Sequence, residues 1–368
     1  MTNVNKEGEL NMKKLDIILK DSAKLLSWLI ALLFFTAAGT AHAKKNGKLY
    51  VVTTLTDFAS VAKEIGGDKV IAEAIAKGDE DPHFVRPKPS FAEKLSQADL
   101  FVSTGLDLEL WSPGLVDKSQ NSQIRDGQNG YVAAADGIKL LEIPTVADRA
   151  SGGVHIYGNP HIQTNPLNMK IVAKNITIGL KKIDPGNEAY YLKRLNSFNS
   201  KIDKKMFGSE LVNLLGSKTL TGLALSGNLI PFLKGRDFKG GKLIDKLGGW
   251  MKKMQTLYGK KIVTYHKNWI YFAKVFGLNI VGEVEPKPAI PPSPRDVERL
   301  IGTMKKLKIK VVLAANYYNE TKVKKICRSV NATPVIVGTS VNAQPGVNSY
   351  FKLVDSWING LKKAYGVK

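Results

Sequence analysis

Three histidines in loops are the residues of this chain whose type and spacing could do chemistry. His83 lies in the segment DPHF after a predicted strand, His161 lies in GNPHI, and His266 follows the predicted strand KIVTY. Neutral imidazole is the commonest protein ligand for metals, and a proline before His83 and His161 restricts the backbone that would hold each ring. We therefore predict a transition-metal site at these three histidines.

The spacing of these histidines leaves a second interpretation open. A single loop histidine is more often a solvated or hydrogen-bonded side chain, and ligands this far apart in sequence form no local motif. The helix predicted after His266 favours the metal interpretation, because the positive end of a helix disfavours a protonated imidazole. Auxiliary ligands could come from His155, Asp81 or Glu285. His155 could equally be solvated, and Glu285 begins a proline-rich segment that we interpret first as a rigid connection.

Short β-branched runs alternate with helical stretches after residue 48, which is typical of an α/β fold with parallel sheets. The first series of predicted strands is LYVVTTL, KVIAEAI and DLFVST, with helices at 58–65 and 89–98. The second series is KIVTY, NIVGEV, IKVVLAA and TPVIVG, with helices at NWIYFAKVFGL, 294–307 and 347–365. Ligands of such sheets bind in loops at the carboxyl ends of strands, where His83 and His266 are predicted to lie.

Residues 168–207 carry a long helical periodicity that Asp184-Pro185-Gly186 interrupts. The second helix presents one apolar face, formed by Tyr191, Leu195, Phe198, Ile202 and Met206. We expect an N-terminal α/β lobe at 48–185, a linker helix at 186–207 and a C-terminal α/β lobe at 208–368, with a cleft between the lobes. Within the last of these, we expect 208–259 to be irregular surface with one or two short helices.

The first 43 residues have the pattern of a secretory signal peptide. Lysines precede the uncharged run 25–41, and Ala41-His42-Ala43 supplies small residues for cleavage. A transmembrane anchor is the alternative, but the strongly apolar part is shorter than the roughly 20 residues that span a bilayer. We expect cleavage after Ala43 and export of a soluble monomer to the periplasm. Cys327 is the only cysteine, which excludes an intrachain disulfide and lipid attachment at the cleavage point.

The chain is strongly basic, with 54 Lys and Arg against 32 Asp and Glu and a formal net charge of +22. Such an excess raises nucleic acid or an anionic membrane as a partner. The lysines, however, are scattered as short doublets such as Lys181-Lys182 and Lys324-Lys325, with no single basic segment. We therefore expect a solvated basic surface and no nucleic-acid partner.

Four motifs together resemble a known protein family. DPHF, VHIYGNPH, YHKNWIYFAKVFGL and EPKPAIPPSP occur in the family's order, and the resemblance covers nearly all of the chain after residue 43. In this combination the chain is similar to the solute-binding proteins of ABC-type zinc and manganese importers, the cluster A-I metal-binding family. The resemblance implies two Rossmann-like α/β lobes joined by a long rigid helix, with a metal site in the cleft between them. His83 and His161 would come from the first lobe and His266 from the second.

The resemblance also implies a function without catalysis, the delivery of a divalent metal to an ABC permease. Three imidazoles and one oxygen suit Zn²⁺, whereas Mn²⁺ favours more carboxylates, so we expect Zn²⁺ with Mn²⁺ as the alternative. Relatives often carry a carboxylate ligand after the last strand, but this chain has Gly338-Thr339-Ser340 there. The fourth position therefore stays open to water, Asp81, Glu285 or His155. We expect Asp107 and Glu109 to brace the first lobe or to orient a histidine.

Two other functions are compatible with the same residues. One is a periplasmic zinc buffer or chaperone that has no dedicated transporter. The other is a zinc hydrolase, because three protein ligands and a water also hold catalytic zinc. The sequence contains no HExxH helix, no GxSxG turn and no phosphate-binding loop, so we expect a binding protein and not an enzyme.

Overall fold

The computed structural model of this chain describes residues 47–144, 155–287 and 290–367. The predicted signal peptide, residues 1–43, lies outside these residues. Within the described ranges, no helix has the length and apolar character that crossing a membrane requires.

The first half of the described chain forms a four-stranded, all-parallel sheet in the order β2-β1-β3-β4. Its strands are β1 (Leu49–Thr53), β2 (Val70–Ala74), β3 (Leu100–Ser103) and β4 (Tyr131–Ala133). Its helices are α1 (Thr56–Gly66), α2 (Pro89–Ser96) and α3 (Ser112–Ser119). Every residue of β1 and β3 is buried, as expected for a parallel sheet that helices cover on both faces, so these strands are continuous apolar runs. We call this sheet and its helices the first lobe.

Two long helices follow, α4 (Asn168–Ile183) and α5 (Glu188–Phe207). The predicted break between them is confirmed, and the Tyr191 hydroxyl donates a 2.6 Å hydrogen bond to Asp184 Oδ2 at the break. All five apolar residues of the predicted face of α5 are buried. The buried face explains the stability of α5, because amphipathic helices owe most of their stability to packing.

The segment 208–259 is more ordered than the sequence analysis predicts. It contains the helices α6 (Ser209–Leu215), α7 (Ser217–Leu225), α8 (Leu229–Lys234) and α9 (Gly249–Met254), and the antiparallel pair β5 (Asp237–Phe238) and β6 (Gly241–Lys242). Leu211, Leu220, Leu233 and Trp250 are buried in it. The prediction of an irregular surface was wrong because helices of six to nine residues are too short to display a clear 3.6-residue period.

The last part of the chain forms a second four-stranded parallel sheet in the order β10-β9-β7-β8. Its strands are β7 (Lys261–Thr264), β8 (Asn279–Glu283), β9 (Val311–Ala315) and β10 (Thr333–Val337). The accompanying helices are α10 (Ile270–Phe276), α11 (Pro294–Lys306), α12 (Glu320–Val330) and α13 (Tyr350–Ala364). Each of the four predicted strands is present, and we call this sheet and its helices the second lobe. Trp269, Tyr271 and Phe272 are buried in its core.

Three elements of the two lobes escaped prediction: β4, α3 and α12. β4 has only three residues between glycine-rich turns, and α12 is dominated by charge. The ends of α12 nevertheless carry signals. The Asn319 side chain accepts a hydrogen bond from the Lys322 backbone N–H, and Asn331 ends the helix in the left-handed region with φ 54°. An asparagine is common at both the N-cap and the C-cap of helices, so the two ends of α12 could be recognised from sequence.

Helices α5 and α1 join the lobes. On α5, Arg194 Nε donates to the Glu64 carbonyl of α1 at 2.8 Å, and Lys205 pairs with Asp355 of α13 at 3.2 Å. The Val341 backbone N–H, after β10, donates to Asp57 Oδ1 of α1 at 3.3 Å. The α/β architecture with two lobes and a long connecting helix is therefore as predicted, while the residue borders 48–185, 186–207 and 208–368 stay predictions.

The contact at Asp57 leads to a prediction about stability and pH. Burial raises the pKa of Asp57 from 3.8 to about 7, and its hydrogen bonds lower it by less. Between about pH 4 and 7 the folded chain therefore holds a proton that the unfolded chain releases, so stability falls as pH rises through this window. We expect Asp57→Asn to remove this decrease in the free energy of unfolding, which amounts to about 1.4 kcal/mol for each unit by which the pKa of Asp57 is raised. Urea unfolding of both proteins at pH 5 and pH 8 measures this difference in the free energy of unfolding. An identical pH dependence in both proteins would contradict the assignment.

Candidate metal centre

Three imidazoles from three separate loops lie close together. One ring nitrogen from each of His83, His161 and His266 lies within 4.8 Å of the other two. Their ring centroids are 5.1 to 5.7 Å apart. His161 and His266 are buried, with 1% and 2% of their surface exposed. The structure thus brings together the three histidines that the sequence analysis selected, and the cluster contains no carboxylate among the described residues.

Each loop is held by local contacts of its own. His83 lies in a single 3₁₀ turn, Pro82–Phe84, in the loop after β2. His266 follows β7 and caps the turn Lys267–Trp269 that leads into α10. The segment of His161 is tied to the second lobe, because the Asn159 side chain donates to the Lys267 carbonyl at 2.9 Å and accepts from the His161 backbone N–H at 3.0 Å.

Tyr271 of α10 also fixes this segment. Its hydroxyl donates to the Asn159 carbonyl at 2.7 Å and accepts from the Leu141 backbone N–H at 3.1 Å. The Tyr271 ring is buried in the second lobe, and its hydroxyl connects that lobe to the loop that carries His161.

Hydrogen bonds at Nδ1 orient two of the three rings. His83 Nδ1 lies 2.7 Å from Asp81 Oδ1, which also accepts from the His83 backbone N–H at 3.1 Å. His266 Nδ1 lies 2.7 Å from the carbonyl oxygen of Glu285. Because both partners are acceptors at Nδ1, each Nδ1 carries the proton and each Nε2 keeps a free lone pair. Metal-binding histidines commonly have this arrangement.

Two of the Nε2 atoms are buried without a partner. Neither His161 Nε2 nor His266 Nε2 has a hydrogen-bond partner among the described residues. Leaving a buried acceptor unsatisfied costs about 1–3 kcal/mol, so such groups call for an explanation. A cation held between the rings would satisfy both lone pairs, and a donor set of imidazole nitrogens fits a transition metal.

The electrostatics of the site keep its buried rings neutral. Burial lowers the pKa of His161 well below 6.5, and the neighbouring histidines lower it further. Burial lowers the pKa of His266 to about 4, although the hydrogen bond to the Glu285 carbonyl raises it in part. Both rings are therefore unprotonated at neutral pH, which is the form that binds metals.

The candidate auxiliary residues lie in different environments. His155 Nε2 lies 3.3 Å from His83 Nε2, and His155 Nδ1 lies 2.8 Å from Asp107 Oδ1. The Asp81 carboxylate is engaged by His83 as described. The Glu285 carboxylate accepts from the Tyr265 hydroxyl at 3.2 Å, so Glu285 reaches the site through its backbone carbonyl.

Asp107 and Glu109 have separate roles. Asp107 orients His155, whereas Glu109 is buried and accepts hydrogen bonds from the Thr54 and Thr104 hydroxyls at 2.6 and 2.5 Å. Burial raises the pKa of Glu109. Each of the two expected roles is therefore filled by a different residue: Glu109 braces the first lobe and Asp107 orients a histidine.

Sequence analysis missed the aromatic wall of the site. Tyr318, after β9, lies with its ring 6.4 Å from that of His266 and is stacked on Tyr265 at 4.2 Å. The Asn268 side chain donates to the Tyr317 hydroxyl at 3.1 Å and accepts from the Tyr318 hydroxyl at 3.4 Å. Burial raises the pKa of both tyrosines, which stay protonated. Their position at the carboxyl end of a predicted strand was the available signal.

Two curated relatives are about one third identical to this chain over the segments that align. The manganese ABC transporter substrate-binding lipoprotein PsaA of Streptococcus pneumoniae is 34% identical over 193 residues, which are 50% of this chain and 59% of that protein. The iron ABC transporter substrate-binding lipoprotein MtsA of Streptococcus pyogenes is 32% identical over 196 residues, or 52% and 58% of the two chains. The chain thus spans less than two thirds of the length of the curated relatives it matches.

Solved structures share the fold over most of the chain. The crystal structure of ZnuA has a TM-score of 0.63 at 19% identity and covers 86% of this chain and 99% of its own. The Mn-bound periplasmic metal-binding protein from Candidatus Liberibacter asiaticus has a TM-score of 0.61 at 17% identity, with the same coverage.

A family match covers more of the chain than these pairwise alignments do. Residues 51–206 and 241–364 match the family described as zinc-uptake complex component A, periplasmic. The matched ranges contain His83, His161 and His266 and leave out part of the helical segment 208–259. Because the match extends over more than half of the sequence, the chain belongs to this zinc-uptake component A family, whose members are binding proteins and not enzymes.

Proposed function

We propose that this chain is a periplasmic binding protein that captures Zn²⁺ with His83, His161 and His266 and delivers it to an ABC permease. One observation carries the proposal: the nitrogens of three imidazoles lie within 4.8 Å of one another, and two of them are buried without a hydrogen-bond partner in the described part of the chain. The family membership supports uptake as the purpose of this site. The matched relatives named as substrate-binding lipoproteins of ABC transporters support the permease as the partner.

The chemistry of the donor set supports zinc over manganese. The names of PsaA and MtsA refer to manganese and iron, so the relatives leave the metal of this chain open. Mn²⁺ prefers carboxylate and carbonyl oxygens, whereas imidazole suits Zn²⁺. The cluster here is all imidazole, and the segment 338–340 contributes no acidic residue to it. Zn²⁺ is therefore the proposed substrate, and Mn²⁺ is the competitor that a test must include.

Competition calorimetry with elemental analysis tests the choice of metal. Residues 44–368 are stripped of metal and titrated with Zn²⁺, Mn²⁺, Fe²⁺ and Cu²⁺ in separate and mixed experiments. The proposal expects one tight Zn²⁺ per chain that excess Mn²⁺ does not displace. Displacement of Zn²⁺ by equimolar Mn²⁺ would reject zinc as the substrate.

Uptake into vesicles tests delivery. Proteoliposomes that contain the cognate permease and ATPase should take up radioactive zinc only when this chain is supplied outside, with ATP inside. A zinc buffer without a dedicated transporter would bind the metal equally well but would leave uptake unchanged. That outcome would reject delivery while leaving metal binding intact.

The contact between Asp81 and His83 gives a further prediction. Asp81→Ala removes the acceptor that orients His83, and loss of such a partner typically weakens metal binding about 10- to 100-fold. Asp79→Ala is the matched control, because it removes an exposed carboxylate two residues away in the same loop. Zinc affinity should fall in the first variant and stay unchanged in the second. Equal affinities in both variants would show that Asp81 has no orienting role.

A further inference from the structure

His155 lies beside His83 at the edge of the three-histidine cluster. Its Nε2 atom is 3.3 Å from His83 Nε2, and the two rings are stacked with centroids 5.3 Å apart. A tetrahedral zinc ion bound at 2.0–2.1 Å holds any two of its nitrogen ligands about 3.3–3.4 Å apart. The separation of His83 and His155 therefore equals one edge of such a tetrahedron.

Asp107 holds His155 in this orientation with both of its carboxylate oxygens. Oδ1 lies 2.8 Å from His155 Nδ1, and Oδ2 accepts from the Ile156 backbone N–H at 3.0 Å. The Nδ1 atom therefore carries the proton, and the lone pair of Nε2 faces His83. Asp81 holds His83 in the same way, through the ring Nδ1 and a backbone N–H. Two carboxylate–histidine pairs thus hold their Nε2 atoms 3.3 Å from each other.

The other candidates for a fourth ligand are engaged elsewhere. Asp81 accepts hydrogen bonds from the ring and backbone of His83, and the Glu285 carboxylate accepts from Tyr265. No acidic residue follows β10 at 338–340. His155 is also positioned to complete the site from the solvent side, because its side chain is 16% exposed whereas that of His83 is 6% exposed.

We propose that His155 is the fourth ligand of the site and that Asp107 is its positioning residue. This inference rests on the proposed function and adds a reason why the site would select Zn²⁺ over Mn²⁺. Four imidazole nitrogens leave no oxygen ligand from the protein, which disfavours Mn²⁺, and no position for water on a tetrahedral ion. The site then selects zinc by its donor atoms, and the bound zinc has no open position at which a catalytic water could bind.

Metal titrations of four proteins test this inference: the unaltered chain, His155→Ala, Asp107→Ala and the control Tyr157→Ala. Tyr157 is exposed and close to His155 in sequence. We expect His155→Ala to lower the zinc affinity at least about tenfold and the manganese affinity by less than about threefold, which narrows the selectivity. Asp107→Ala should lower the zinc affinity about 10- to 100-fold, as expected for a residue that orients a ligand. The control should keep both affinities.

Cobalt substitution distinguishes a ligand from a merely structural residue. Co²⁺ in a four-imidazole site carries no bound water, so its visible spectrum should not change between pH 6 and 9. In His155→Ala a water takes the fourth position and ionises near pH 7, as metal-bound water does, and the spectrum should titrate there. A titrating spectrum in the unaltered chain that His155→Ala leaves unchanged would overturn the role of His155 alone. Failure of the unaltered chain to bind Zn²⁺ or Co²⁺ would overturn the proposed function as well.

Discussion

Replacing His161 by Ala should lower the zinc affinity of the chain by more than about 100-fold, since removal of even an outer-shell partner costs about 10- to 100-fold. The His161 side chain is buried, its Nε2 atom has no hydrogen-bond partner among the described residues, and burial holds its pKa well below 6.5. His83→Ala and His266→Ala should have effects of the same order, because each removes one nitrogen of the same cluster. Isothermal titration with zinc measures all three.

The control for these variants is a check that each one folds without metal. Circular dichroism and thermal unfolding should show that each variant is folded, so that lost affinity reflects a lost ligand. Lys118→Ala on α3, far from the histidine loops in sequence, serves as a surface control and should bind zinc as the unaltered chain does. Unchanged zinc affinity in all three histidine variants would refute the site.

Zinc should stabilise the folded chain strongly, because its proposed ligands come from both lobes. At a free zinc concentration of 1,000 times Kd, a ligand that binds only the folded state adds about 4 kcal/mol to the free energy of unfolding. His83 follows a strand of the first sheet and His266 follows a strand of the second, so separation of the lobes must break the site. We expect the melting temperature to rise by several degrees with zinc.

Differential scanning calorimetry with and without zinc measures this stabilisation, and a chelator should reverse it. The same zinc concentration should raise the melting temperature of His161→Ala much less, because a site that is 100-fold weaker gains at most about 1.4 kcal/mol, and this difference separates the site from adventitious binding at the surface. A zinc effect of equal size in His161→Ala would place the bound metal elsewhere.

Most of the fold could be predicted from residue patterns, because most of its strands and helices are regular. The buried strands β1, β3, β7 and β9 are short apolar runs, and the face of α5 repeats at helical spacing. The elements that escaped prediction are short, as in β4 and α6 to α9, or so charged that their apolar face is narrow, as in α12. In these segments tertiary packing determines the structure, and local pattern carries little of the signal.

The candidate ligands could be selected from sequence because few histidines are present and each stands in a loop. Their orientation could not be predicted. The partner of His266 Nδ1 is a backbone carbonyl, that of Glu285, and no sequence pattern identifies which carbonyl a ring will meet. Similarly, Asp107 and His155 are 48 residues apart, and only the folded chain brings them together. The sequence therefore predicts which histidines form the cluster, and the fold determines what each one contacts there.

The most direct test of the central claim is X-ray absorption spectroscopy at the zinc edge of the chain loaded with one equivalent of Zn²⁺. We expect a first shell of nitrogen at 2.0–2.1 Å, with the outer-shell scattering of at least three imidazoles. The same spectrum reports whether a fourth imidazole is present. A first shell dominated by oxygen, without imidazole scattering, would contradict the claim that these histidines bind the metal.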